Sequence, residues 1–196
     1  MPAIETQGRL SHLPWEVMHD GNGFFVEQKY PLIVPVRWQD KKRATYEPEN
    51  RPLQVLFMAT SPIDVQPVLD FEREEGLILE TTSRHPLNLT VEESGDLEEL
   101  NHLINSYESA WFDIFHLSGH ARLTDDGGRF LTESETGNML PASAQRIAEA
   151  LTRMPKIVFL SGCHTGEAGK EGAVPSLCED LLELGAQSVL GWGVRY

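Results

Sequence analysis

The chain has 196 residues, of which 40% are hydrophobic and 23% charged, the length and balance of one compact α/β domain and not of a disordered or fibrous protein. Thirty acidic residues against sixteen basic ones give a formal charge of −14, which repels a phosphate backbone, so protein or peptide partners are expected and direct nucleic-acid binding is not. The longest apolar stretches, Pro31-Leu-Ile-Val-Pro-Val36 and Ile157-Val-Phe-Leu160, fall far short of the roughly 20 residues of a bilayer span, and the first residues show neither region of a secretory signal, so no membrane contact and a cytoplasmic location are expected.

Residues 1–50 hold short apolar pieces such as Phe24-Phe-Val26, broken by Gly21, Gly23, Pro31 and Pro35. They read as peripheral loops and short strands. The basic, proline-bearing segment 41–52 reads as a solvated loop leading to the main sheet, and residues 51–196 as the core of one domain spanning 1–196. Leu53-Gln-Val-Leu-Phe-Met-Ala59 is nearly continuously apolar, the mark of a strand buried on both faces. Residues 65–80 predict a helix that covers one sheet face. A strand is expected over 87–91, then a helix over 96–105 with Ser94 or Asp96 as N-cap, then a strand over 111–117. A Gly-rich turn at Asp125-Asp-Gly-Gly128 leads to a small hairpin from 129–132 and 138–140. Helix over 142–151, strand over 156–160, helix over 174–184 and strand over 188–192 complete the chain. Strands alternating with helices imply right-handed crossovers and a mostly parallel central sheet with helices on both faces. The chain stops at the edge of its last predicted strand, which reads as a fragment of a longer protein.

In an open parallel sheet, chemistry collects at the carboxyl ends of the strands. Two such ends are rich here: His116-Leu-Ser-Gly-His120-Ala121 and Ser161-Gly-Cys163-His164-Thr-Gly166. If the two strands are neighbours, His120 and Cys163 meet in one crevice as base and thiol nucleophile. Gly119 and Gly162 would give each strand a tight exit and let a substrate carbonyl approach the backbone. The N–H groups of Ala121 and Cys163 would then serve as an oxyanion hole.

These blocks, taken in order, resemble the CHAT domain, of the caspase-like peptidase clan that also holds caspases and separase. Leu13-Pro-Trp-Glu16 resembles a signature near that family's start, residues 55–62 its first core strand, and Gly185-Ala-Gln-Ser-Val-Leu-Gly-Trp192 the strand after its cysteine helix. The resemblance covers nearly the whole chain and implies a caspase-like αβα sandwich. It also implies a cysteine endopeptidase with a Cys163–His120 dyad, no cofactor, and a protein or peptide substrate. Tetratricopeptide-type repeats or a regulatory partner would adjoin it in a full-length parent. One departure is Ala121, where the family usually has Gly.

Each residue also has a plainer reading. His116 and Ser118 are expected to support the site by hydrogen bonding or by orienting the loop. His164 is expected to point away from Cys163, because neighbouring side chains on extended backbone face opposite ways. Cys178 sits among Leu177, Leu181 and Leu182 and reads as core. A zinc site from His116, His120, Cys163 and His164 lacks the paired Cys-x-x-Cys spacing, and a flavodoxin-like nucleotide binder lacks a Gly-rich phosphate loop. Asp125 and Asp126 read as a solvated turn, or as an acidic lining that favours a basic residue at the cleavage position. The rival from another class is a non-catalytic interaction or signalling module.

Overall fold

The structure, a computed structural model, describes residues 17–31, 33, 36, 49–163 and 176–191. The chain forms two compact units, Met1–Tyr46 and Glu47–Tyr196. In the first, residues expected as a short strand form a single 3-10 turn, Phe25–Glu27, instead. The cause is local: the Asp20 carboxylate accepts the N–H groups of Asn22 and Gly23, and Gly21 takes φ 97°. The tight turn so formed brings His19 and Phe24 together across a bridge.

The second unit is a five-stranded parallel sheet in the order β2-β1-β3-β7-β8, formed by β1 Leu53–Ala59, β2 Leu87–Glu92, β3 Ile114–Ser118, β7 Ile157–Ser161 and β8 Ser188–Gly191. Among the described residues the helices that connect them are α1 Phe71–Thr82, α2 Leu97–Asn105, α3 Ala144–Leu151 and α4 Leu177–Glu183. A three-stranded antiparallel sheet, β4 Ala121–Thr124, β5 Gly127–Glu133 and β6 Met139–Ala142, is inserted after β3. The parallel sheet flanked by helices is the expected caspase-like sandwich.

Side chains alternate across the sheet. Leu56, Met58, Phe115, Leu117, Val158 and Leu160 face α2, α3 and α4, and they join Leu97, Leu100, Ile147, Leu151, Leu177 and Leu181 in one buried core. The opposite face carries the row Phe57, His116 and Phe159, held in register across β1, β3 and β7, and α1 lies on that side. Where the strands begin, the buried carboxylate of Asp113 accepts hydrogen bonds from the Gln54 N–H, Arg51 and Lys156. It ties together the starts of β1, β3 and β7.

Of the boundaries that differ from the sequence reading, four have a clear local cause. Helix α1 starts at Phe71, not 65, because Pro67 disfavours helical backbone before it and the Asp70 side chain caps the Arg73 N–H. Strand β3 starts at Ile114, because Trp111 and Phe112 pack on Tyr107 as a loop cluster at 6.0 and 4.9 Å. Helix α3 starts at Ala144, with Ser143 capping the Arg146 N–H. Helix α4 starts at Leu177 behind a Ser176–Glu179 capping box. Between the two N-cap candidates for α2, Asp96 fills the position and accepts from the Glu98 N–H. The hairpin forms as β5–β6, and β4 pairs with β5 as a third strand that the sequence reading had not resolved. Among the described residues no helix is long and apolar enough to cross a membrane.

Candidate active site

Ser118 and Ser161, the last residues of β3 and β7, are register partners. The ladder continues one step beyond them, with the Gly119 N–H donating to the Ser161 carbonyl at 3.0 Å. The two chains therefore leave the sheet side by side, and each reaches its candidate residue, His120 or Cys163, two positions later.

The buried ring of Phe130 on β5 lies across both strand exits. A Cβ on Gly119 would meet Phe130 Cε1 at 2.9 Å and collide with the Thr60 hydroxyl, and one on Gly162 would meet Phe130 Cε2 at 2.9 Å and the Gly119 carbonyl at 3.0 Å. Both glycines are buried. At both positions a side chain would meet one aromatic ring that lies across the two strand exits, so the tight exits expected of these glycines are required by packing. Ala121 adjoins the second loop, its Cβ 3.3 Å from where a Cβ on Gly162 would stand.

His120 is half-buried, and its Nε2 lies 2.7 Å from the carbonyl oxygen of Pro67. A carbonyl only accepts, so this bond places the ring proton on Nε2 and leaves Nδ1 as the basic nitrogen of the neutral imidazole. Cys163 is an exposed free thiol, whereas Cys178 is half-buried on α4 and packed against the core. The Leu131 N–H donates to the His120 carbonyl at 2.8 Å. By the alternation of an antiparallel ladder, the next pair, Ala121 and Phe130, is the non-hydrogen-bonded one, so the Ala121 N–H points away from β5.

His116 does not join this pair. It is buried within β3, stacked on Phe159 at 4.5 Å and edge-on to Phe57 at 5.1 Å. Its Nε2 lies 3.3 Å from Oε1 of Glu74 on α1, within ion-pair range but without hydrogen-bond alignment. Ser118 donates its hydroxyl proton to Oε2 of the same carboxylate. Burial alone would raise the Glu74 pKa, but the nearby His116 ring, the hydrogen bond from Ser118 and the neighbouring Ser161 together outweigh it and hold the carboxyl below its usual range.

Pro67 and Glu74 escape the sequence reading, because a backbone carbonyl has no signature and Glu74 is one acid among Glu72, Glu75 and Glu80. Asp125 and Asp126 are exposed in the β4–β5 turn. His164, the Leu13–Glu16 block and Trp192 lie outside the described residues. Among the described residues no group of three or more His, Cys, Asp or Glu side chains is placed to hold a metal ion.

A family model described as CHAT domain matches residues 3–193. No curated protein sequence matches the chain significantly.

Proposed function

The chain belongs to the CHAT family, whose domains are caspase-like, and from that premise we propose that it is a cysteine endopeptidase with Cys163 as nucleophile and His120 as general base. The observation that carries this reading is the pairing of Ser118 with Ser161 at adjacent strand ends, with His120 anchored through Nε2 on the Pro67 carbonyl.

In the proposed reaction, Nδ1 of His120 takes the Cys163 thiol proton and the sulfur attacks the carbonyl carbon of the scissile peptide bond. The negative charge that develops on the carbonyl oxygen is met by the N–H groups of Ala121 and Cys163. His120 then gives its proton to the departing amine as the C–N bond breaks, and water, deprotonated by the same nitrogen, hydrolyses the thioester. The Pro67 carbonyl supports both proton transfers, since it stabilises the imidazolium that forms between them. The substrate is an extended segment of a protein, and adjoining helical repeats or a regulatory partner would present it.

The test is a peptide-library cleavage profile of the protein beside its Cys163→Ala variant. Cleavage abolished by the substitution supports the reading. Cleavage that survives it, or a Cys163 no more reactive than Cys178, overturns the reading and favours an interaction module.

A further inference from the structure

Glu74 takes no part in the bond making, yet it is hydrogen-bonded to the end of β3, the strand end paired with that of β7. Helix α1 supplies no buried side chain, and Leu77 and Leu79 on it are 52% and 48% exposed. Apolar packing, which ordinarily fixes a helix against a sheet, is therefore thin here. The polar contacts are more specific. One carboxylate accepts the Ser118 hydroxyl and faces the His116 imidazole, and Ser161 is the register partner of Ser118 on the neighbouring strand. Ser118 is followed by Gly119 and His120, and Ser161 by Gly162 and Cys163. In the other direction, α1 leads back through its Asp70 cap to Pro67, whose carbonyl holds His120. The three segments on which the dyad geometry depends thus converge on Glu74. His116 gives the contact its rigidity: its ring is pinned between Phe57 and Phe159, with Nε2 held 3.3 Å from the Glu74 carboxylate.

We propose that Glu74 is a positioning residue: by binding Ser118 at the paired strand ends and facing His116, it seats α1, and with it the Pro67 carbonyl, against the two strand ends. In this way it keeps His120 in the Nε2–H form with Nδ1 available to Cys163. The proposal rests on the dyad reading only for its consequence, since the tautomer of His120 can be read without any substrate.

The experiment compares wild type, Glu74→Ala and a Ser118→Ala/Ser161→Ala double variant. The latter leaves the carboxylate but removes the hydroxyl that donates to it and the one at the paired strand end. Long-range proton–nitrogen correlation spectra report the His120 tautomer, and alkylation by iodoacetamide at pH 7 reports the Cys163 thiolate. The expected result is a single Nε2–H tautomer in wild type, a mixture of tautomers in both variants, and Cys163 alkylation slowed about tenfold, as when a base beside a thiol is no longer aligned with it. A Glu74→Ala protein that keeps the wild-type circular dichroism, the single tautomer and the alkylation rate overturns the proposal; if that variant does not fold, the same two readouts on the serine variant decide. A His120→Ala variant separates this from failure of the dyad itself. If the dyad fails, His120→Ala leaves alkylation unchanged while the tautomer still responds to Glu74→Ala. If only the positioning role fails, His120→Ala slows alkylation and Glu74→Ala does not.

Discussion

Replacing Gly162 by Ala tests the packing that brings the two candidate loops together. The new methyl would stand 2.9 Å from Phe130 Cε2, 3.0 Å from the Gly119 carbonyl oxygen and 3.3 Å from the Ala121 Cβ. Two of these neighbours are parts of the His120 loop and one is a fully buried ring, so none retreats into solvent. Overpacking of a dense site costs about 1–3 kcal/mol; with backbone among the obstacles, about 2 kcal/mol is expected. For a chain of this length that corresponds to a fall of about 4–8 °C in Tm, measured by thermal denaturation followed by circular dichroism. Phe130→Leu should partly relieve the clash. The double variant should then be more stable than the sum of the single effects predicts by at least about 0.5 kcal/mol, the coupling typical of residues in contact. A Gly162→Ala protein that melts with the wild type, or strict additivity with Phe130→Leu, would refute the claim that Phe130 lies across both strand exits.

Gly76→Ala is the opposite case: a Cβ there meets nothing within 4 Å and the helical backbone of α1 suits it. It should stabilise the protein by about 0.5–1 kcal/mol in urea denaturation, and a loss of stability would count against the helix as described. Asp180 has its pKa raised by burial, with Glu179 and Glu183 adding to the effect and Arg129 opposing it. Because folding favours its protonated form, its charge costs stability as pH rises through that range. Asp180→Asn should therefore stabilise the protein at pH 7, with the gain vanishing under acidic conditions; a pH-independent gain contradicts the assignment. Glu74 has the reverse sign: its lowered pKa contributes stability that is present above the ordinary carboxylate range and lost as pH falls through the folded value. Glu74→Gln should be less stable than wild type at neutral pH and converge with it on acidification, and a difference that persists at low pH would argue against a charge-dependent contact.

The central sheet was legible because strands buried on both faces must be apolar almost throughout, and β1 was read to the residue at Leu53–Ala59. Strand β4 was not, since Ala121-Arg-Leu-Thr124 is short, half exposed and without an apolar run. The start of α1 was misplaced because Val68 and Leu69 fit a helical stripe, while Pro67 and the Asp70 cap set the true boundary. For the site, position was legible and support was not. His120 and Cys163 stand where strand ends concentrate chemistry. The Pro67 carbonyl that orients His120 is 53 residues away in sequence, and Glu74 is 44 from the Ser118 it binds. Contacts so distant, one of them through backbone, leave no local pattern. Gly119 and Gly162 were recognised as necessary, but the ring of Phe130 that requires their smallness became visible only once the chain was folded.

The most direct test of the central claim is the rate of Cys163 alkylation at pH 7 in wild type and in His120→Ala, with Cys178 as the internal reference. The account predicts that the exposed Cys163 is labelled well ahead of the half-buried Cys178, that His120→Ala slows its labelling about tenfold or more, and that the slow labelling of Cys178 does not change. A Cys163 labelled no faster than Cys178, or at a rate indifferent to His120, would contradict it.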